Sequence, residues 1–181
     1  LENRDENALF AFAKQVSPLG ALPVEVSLGV RVPWYSEFDC GADPEIKVSW
    51  DREVWQVHLS YARADNVPSF HQHYNQTSST MPNPDLRMET SDNYSIALFL
   101  KPLNRISVTS SLFYNEITDR ITYVRNVGVG QYVNFGRVTY RGFDLSCDWK
   151  ILGSLIAKGT YTHLSARDEE TGRWVPAKPR H

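Results

Sequence analysis

Two histidines, His71 and His73, stand either side of Gln72 and beside the aromatic residues Phe70 and Tyr74. A His-x-His pair in a loop can ligate a metal chelate. A metal site takes about three or four ligands, however, and no third residue is spaced to join these two. Packing of the loop beside Phe70 and Tyr74 is the expectation. The carboxylates Asp65, Asp85, Glu89, Asp92, Glu116 and Asp119 raise the question of glycoside chemistry. That chemistry needs two carboxyl groups about 5–10 Å apart in a cleft, and carboxylates in loops are ordinarily solvated. Gly128-Val129-Gly130 is glycine-rich, but no helical pattern follows it, so a hairpin turn explains it better than a phosphate loop. Asn75-Gln76-Thr77 and Asn93-Tyr94-Ser95 match the glycosylation acceptor pattern, which is common by chance. Cys40 falls in a loop and Cys147 on an apolar strand face, so no disulfide is expected. The chain reads as no enzyme, with no cofactor and no resident metal.

The elements that carry these residues are strands. Period-2 alternation dominates, and helical periodicity is nearly absent. Val24, Val26, Leu28, Val30 and Val32 share one face, against Glu25, Ser27, Gly29 and Arg31 on the other. The same pattern recurs in Ile46–Trp50, Trp55–Tyr61, Tyr94–Leu100, Ile106–Tyr114, Phe143–Ile151 and Leu155–Tyr161, with a weaker first strand from Asn7 to Val16. Short turns are expected at Ser17–Leu22, Asp51–Arg52, Pro102–Asn104 and Leu152–Gly153. Longer polar connections are expected at Ser36–Asp43, Asn66–Thr90, Asn126–Gly130 and Ala166–Val175. Short turns at one rim and long loops at the other describe an up-and-down antiparallel sheet.

Composition agrees with that pattern only when it is sorted by face. The 181 residues are 41% hydrophobic and 12% aromatic, with 9 Tyr and 5 Trp. Nineteen basic against 21 acidic residues leave a net charge of −2, which speaks against nucleic acid. A mean hydropathy of −0.40 resembles that of a soluble domain. No run of about 18 apolar residues exists, which excludes a membrane-spanning helix. It does not exclude a transmembrane barrel, whose alternating strands average out. The polar faces are mostly Ser, Thr, Asn, Gln and Gly, suited to a crowded lumen more than to bulk water. The segments Arg105–Arg125 and Gln131–Ile151 are far longer than the roughly five or six residues of a typical strand. The expected fold is all-β: an antiparallel up-and-down meander of about eight long strands, part of a transmembrane β-barrel. A soluble β-sandwich that binds a ligand or carbohydrate is the alternative.

Several words resemble those of TonB-dependent outer-membrane receptors. Asn83-Pro84-Asp85-Leu86-Arg87-Met88-Glu89-Thr90-Ser91 is similar to the family's Asn-Pro-Asp-Leu-Lys-Pro-Glu-Thr-Ser. Pro68-Ser69-Phe70 with Tyr74 resembles Arg-Ala-Pro-Ser-Phe-x-Glu-Leu-Tyr. Asn115-Glu116-Ile117-Thr118-Asp119-Arg120-Ile121 resembles Asn-x-Ile-x-Asp-x-Ile. Tyr132-Val133-Asn134-Phe135-Gly136 and Arg141-Gly142-Phe143-Asp144 resemble Tyr-x-Asn-x-Gly and Gly-x-Glu. The closing Pro176–His181 resembles the start of a later strand. The chain departs from the family at Asn66 for Arg, Gln72 for Glu, Met88 for Pro and Asp144 for Glu.

The resemblance implies a barrel of about 22 strands filled by an N-terminal plug. Residues 1–181 would then form one partial barrel, a C-terminal portion without plug or last strands. Both ends read as cuts through a longer chain. The implied setting is the outer membrane of a Gram-negative cell. The implied partners are its lipid, the TonB protein acting through the plug, and a scarce ligand such as a siderophore, haem or cobalamin. By loop position the candidate ligand contacts are Phe70, His71, His73 and Tyr74, with Tyr132.

Overall fold

The computed structural model describes residues 8–19, 22–35, 37–38, 41–126 and 128–174. The terminal word Pro176–His181 and Cys40 lie outside them, as do the side chains of most of the first strand. In chain order the elements are β1 (Ala8–Pro18), β2 (Val24–Tyr35), β3 (Asp43–Asp51), β4 (Trp55–Asn66), α1 (Phe70–Tyr74), β5 (Thr80–Met81), β6 (Glu89–Leu103), β7 (Ile106–Asn126), β8 (Val129–Leu152) and β9 (Leu155–Asp168). Each long strand pairs antiparallel with the next, so β1-β2-β3-β4-β6-β7-β8-β9 form one meander. The two-residue β5 is the exception and pairs parallel with β8. The five residues of α1 form a helix that alternation gave no sign of.

Register holds the apolar faces together. Leu28 pairs with Ile46, Ile46 with Tyr61, Tyr61 with Tyr94 and Tyr94 with Tyr114. Because side chains alternate with period two, that pairing puts one strand's apolar set beside the next on a single face. The face stays bare: Val32 is 44% exposed, Trp34 55% and Leu112 56%. Among the described residues the buried apolar side chains are Leu86, Val138 and Ala166, with Pro33 and Pro68. A sandwich would bury one whole face under a second sheet. A single layer with an exposed apolar face matches a membrane barrel instead, and the soluble sandwich is set aside.

The opposite face is knitted by short polar pairs. Ser60 and Ser95 hydroxyls lie 2.7 Å apart. The Asp144 carboxylate accepts from Ser111 at 3.3 Å and from Thr162 at 2.7 Å, linking β7, β8 and β9. Arg31 donates to Asp43 at 2.6 and 2.9 Å across β2 and β3. Small side chains allow the strands' inner faces to crowd. Gly142 shows the limit, because a Cβ there would fall 2.0 Å from the His163 carbonyl oxygen and 2.7 Å from the Phe113 ring.

Aromatic residues mark both edges of the apolar band. Trp50 and Trp55 meet edge-on at 5.1 Å beside the short turn, and Trp149 on β8 is 48% exposed. At the other edge Tyr61, Tyr94 and Tyr114 stand in a row, with ring centroids 4.9 and 6.2 Å apart. Their tips turn polar: the Tyr61 hydroxyl donates to Asp92 at 2.8 Å, and the Tyr114 hydroxyl donates to Glu116 at 3.1 Å. Rings with one apolar and one wet end belong at a membrane boundary.

Beyond that boundary β7 and β8 continue as a two-stranded arm. The β6–β7 ladder stops at Thr90 and Thr118, while the β7–β8 ladder runs on to Asn126 and Val129. The expected long connection at Asn126–Gly130 is therefore a tight turn, and the extra length lies in strands of 21 and 24 residues. Two predictions follow from this sheet. Expressed alone, the chain should stay soluble only in detergent, and a detergent-free, cooperatively unfolding monomer would overturn the bare-face reading. Within the intact barrel, Gly142→Ala should destabilise by about 1–3 kcal/mol through overpacking, read as an earlier loss of compact migration on heating.

Candidate functional site

The connection from β4 to β6 is the longest in the sheet and carries the sequence-predicted contacts. Ser69 opens α1 with a capping box: its hydroxyl accepts from the Gln72 amide at 3.3 Å, and the Gln72 side chain accepts from the Ser69 amide at 2.8 Å. Gln72 therefore does the work a Glu would do at that position. One helical turn sets Phe70 and Tyr74 four residues apart with centroids 5.0 Å apart. Phe70 is 51% exposed.

The helix also separates the two histidines. His71 is exposed, edge-on to Tyr132 at 6.1 Å and 3.4 Å from the Asn75 amide nitrogen. His73 is 3% exposed and packs between Phe38 at 5.7 Å and Tyr74 at 5.3 Å. His73 thus lies in the packing beneath the helix. Tyr132 in turn meets Tyr123 at a tilt, with centroids 5.1 Å apart, a ring that loop position did not single out. Only cross-strand register, which pairs Tyr123 with Tyr132, brings it in.

After α1 the chain crosses to the far side of the β7–β8 arm. There β5 pairs with Gly130 and Gln131, on the edge of β8 that β9 leaves uncovered above Val138. The Gly130 amide donates to the Ser79 carbonyl at 2.8 Å, and the Tyr123 hydroxyl donates to the same carbonyl at 3.0 Å. The Tyr123 ring lies against Gly130, where a Cβ would fall 2.3 Å from it.

The next residues are pinned one by one. Gln131 donates to the Pro82 carbonyl at 2.9 Å and Asn83 to the Tyr132 carbonyl at 2.8 Å. Asn134 accepts from the Arg87 amide at 2.7 Å and donates to the carbonyls of Arg87 and Asp119 at 2.9 and 2.8 Å. Arg87 reaches the Asp119 carboxylate at 2.6 Å. Glu89 accepts from the Ile121 amide and from Asn66, both at 2.8 Å. Leu86 is 3% exposed beneath this strap. A cleft of about 430 Å³ lies beside it, bounded by Phe38, His73, Asp85 and Arg87.

The pinning meets the arm where its ladder skips one pair. Asp119 and Gly136 fall opposite one another, between the pairs Thr118–Arg137 and Arg120–Phe135. Both have left-handed backbones, with φ of 54° and 28°. The Glu170 carboxyl group lies beside Gly136, where a Cβ would displace the end of that flexible side chain. Five of the six carboxylates noted for acid–base chemistry, all but Asp85, are tied into the framework. Asp65 accepts from Thr90 at 2.7 Å, and Glu89, Asp92, Glu116 and Asp119 hold the partners given above. The arrangement brings the paired rings of Phe70 and Tyr74 and those of Tyr123 and Tyr132 to one rim, with His71 edge-on to Tyr132.

The comparisons agree with this architecture. A family model described as TonB dependent receptor-like, beta-barrel, matches residues 2–181. No curated protein matches the chain. Among solved structures, it is similar to the siderophore receptor PirA from Pseudomonas aeruginosa, with a TM-score of 0.78 and 17% identity over 89% of this chain and 32% of that one. It is also similar to a mutant of the ferric enterobactin receptor PfeA from the same organism, in complex with enterobactin. There the TM-score is 0.81 and the identity 16%, over 97% and 29% of the two chains. The copper transporter OprC gives a TM-score of 0.79 at 11% identity over 94% and 30%. The chain thus spans about 30% of the length of structures such as OprC. A single apolar-faced antiparallel meander, its long-loop rim pinned by the very words noted in the sequence, and a family match across nearly every residue lead to one assignment: this chain belongs to the TonB-dependent receptor family and forms part of its β-barrel.

Proposed function

We propose that the chain is a C-terminal portion of the barrel of an outer-membrane receptor in a Gram-negative cell, and that the whole protein takes up a scarce metal complex of the siderophore class. In this reading Phe70, His71, Tyr74 and Tyr132 contact the ligand at the external mouth, and His73 supports them from below. TonB supplies energy through a plug domain, as in the family. The observation that carries the reading is the aromatic cluster held at the long-loop rim by the strap. Aromatic faces stack on planar chelating groups. The similarity to PirA, a siderophore receptor, and PfeA, a ferric enterobactin receptor, favours this ligand class over cobalamin or haem.

Two measurements test it in the intact receptor. Ferric enterobactin and a ferric hydroxamate serve as probes, with binding followed by fluorescence quenching. Phe70→Ala and Tyr132→Ala should each weaken binding of one probe about tenfold, the cost of removing a well-packed aromatic contact. Unchanged affinity for both probes would remove these residues from the site. Asn134→Ala should remove the two hydrogen bonds that hold the strap at Arg87, with a third to the Asp119 carbonyl of β7, and loosen the strap by about 1–3 kcal/mol. Limited proteolysis within residues 76–88 would then accelerate while the barrel's heat stability held. Asn134→Asp should not rescue it, because a carboxylate would face two carbonyls.

A further inference from the structure

We propose that the polar face of the sheet, at the short turns β6–β7 and β8–β9, carries an anion-binding subsite for a small compound with at least two carboxylate or phosphate groups. Register builds the subsite. Ser107 on β7 pairs with Asp148 on β8, and Asp148 pairs with Lys158 on β9. One row nearer the turns, the Lys150 amide donates to the Arg105 carbonyl at 2.7 Å, and Lys150 pairs with Ile156. Alternation puts this set on the face opposite Cys147 and Trp149. Lys101 on β6 joins it, with its ammonium 5.3 Å from the Phe99 ring centroid. Between these side chains lies a cleft of about 410 Å³, lined also by Leu103 and Ile156. Sites for small molecules run from about 300 to 1,000 Å³.

The charge in the cleft is one-sided. Four cations, Lys101, Arg105, Lys150 and Lys158, line it with a single carboxylate, Asp148. That carboxylate lies 3.5 Å from the Lys158 ammonium. Among the described residues no carboxylate lies within ion-pair distance of Lys101, Arg105 or Lys150. Like charges gathered in one concavity focus an attractive field for anions. A multivalent anion answers several of them at once, where a monovalent anion answers one. Three of the four are lysines, point charges on flexible stems that close on carboxylate or phosphate alike. The rings of Phe70, Tyr74 and Tyr132 belong to the opposite, long-loop rim, so in the uptake reading the cleft lies at the departure end of the barrel. That place in the route rests on the uptake reading; the anion binding rests on the cleft alone.

The test uses the intact receptor in detergent and isothermal titration with tricarballylate, with inorganic pyrophosphate and, as the monovalent control, with acetate. At least one of the two multivalent anions should bind more tightly than acetate, with an affinity that falls as salt rises. The tighter of the two identifies the preferred oxyanion. Lys101→Gln/Lys150→Gln should weaken that binding about tenfold. Ile156→Trp, which fills the cleft and keeps every charge, should weaken it too. Asp148→Asn should tighten it, because Lys158 is released and a negative charge leaves the cleft. These titrations are read apart from the siderophore probes at the rings, so failure of the uptake reading and failure of the subsite are separate results. Binding no tighter than acetate would overturn the proposal, and is also the result if carboxylates from elsewhere in the receptor already fill the cleft. Wild-type affinity in the double lysine variant, or unchanged or weaker affinity in Asp148→Asn, would overturn it as well.

Discussion

A strand in hydrocarbon must hand every backbone N–H and C=O to a neighbouring strand, since no water is available to take them. The rest of this molecule follows from how that demand is met, and from where it stops being met by strands alone. Within the apolar band each long strand has its ladder partner, and the register that satisfies the backbone also aligns Leu28, Ile46, Tyr61, Tyr94 and Tyr114 on one face. Above the band the ladders end at different heights. The Ile121 amide lies past the last β6 pair and is met by the Glu89 carboxylate. The upper edge of β8 lies past the last β9 pair and is met by β5 and by Asn83. Side chains thus take over the ladder where strands run out, and the strap is the result.

That division explains what the sequence disclosed. Alternation is local, so Val24–Val32 or Phe143–Ile151 declare both a strand and its inward and outward faces from neighbours two residues away. Turn chemistry is local too, and the short turns joining β3 to β4, β6 to β7 and β8 to β9 appeared where expected. The helix α1 was hidden because five residues are too few to show a 3.6-residue period. Its start was nonetheless written in Ser69 and Gln72, the two ends of a capping box. Strand β5 was hidden for a different reason. Two residues paired across some fifty positions leave no periodic trace.

The candidate site was legible as a location but not as a geometry. Phe70, His71, Tyr74 and Tyr132 are brought to one region, while His73 turns into the packing against Phe38. Position along the chain could not distinguish His71 from His73, because the helix that rotates them to opposite surroundings was not itself visible. The words that carried the family resemblance turn out to be the fastenings of the mouth. Asn83, Glu89, Asp119 and Asn134 each bind backbone or a charged partner in the strap. Gly142 occurs where a side chain would collide with the His163 backbone, and Gly136 where the backbone is left-handed.

The strap also imposes an order of events. Ser79 and Thr80 leave the ribosome well before Gly130 and Gln131, the residues they pair with, and the same holds for Asn83 and Tyr132. The mouth therefore cannot finish when its own segment is made; it waits for β7 and β8 to cross and pair. A closure between residues so far apart in sequence gains nothing until the arm exists, so it is among the last to form. The surface that displays the rings is then completed only on a barrel whose later strands have already been laid in place.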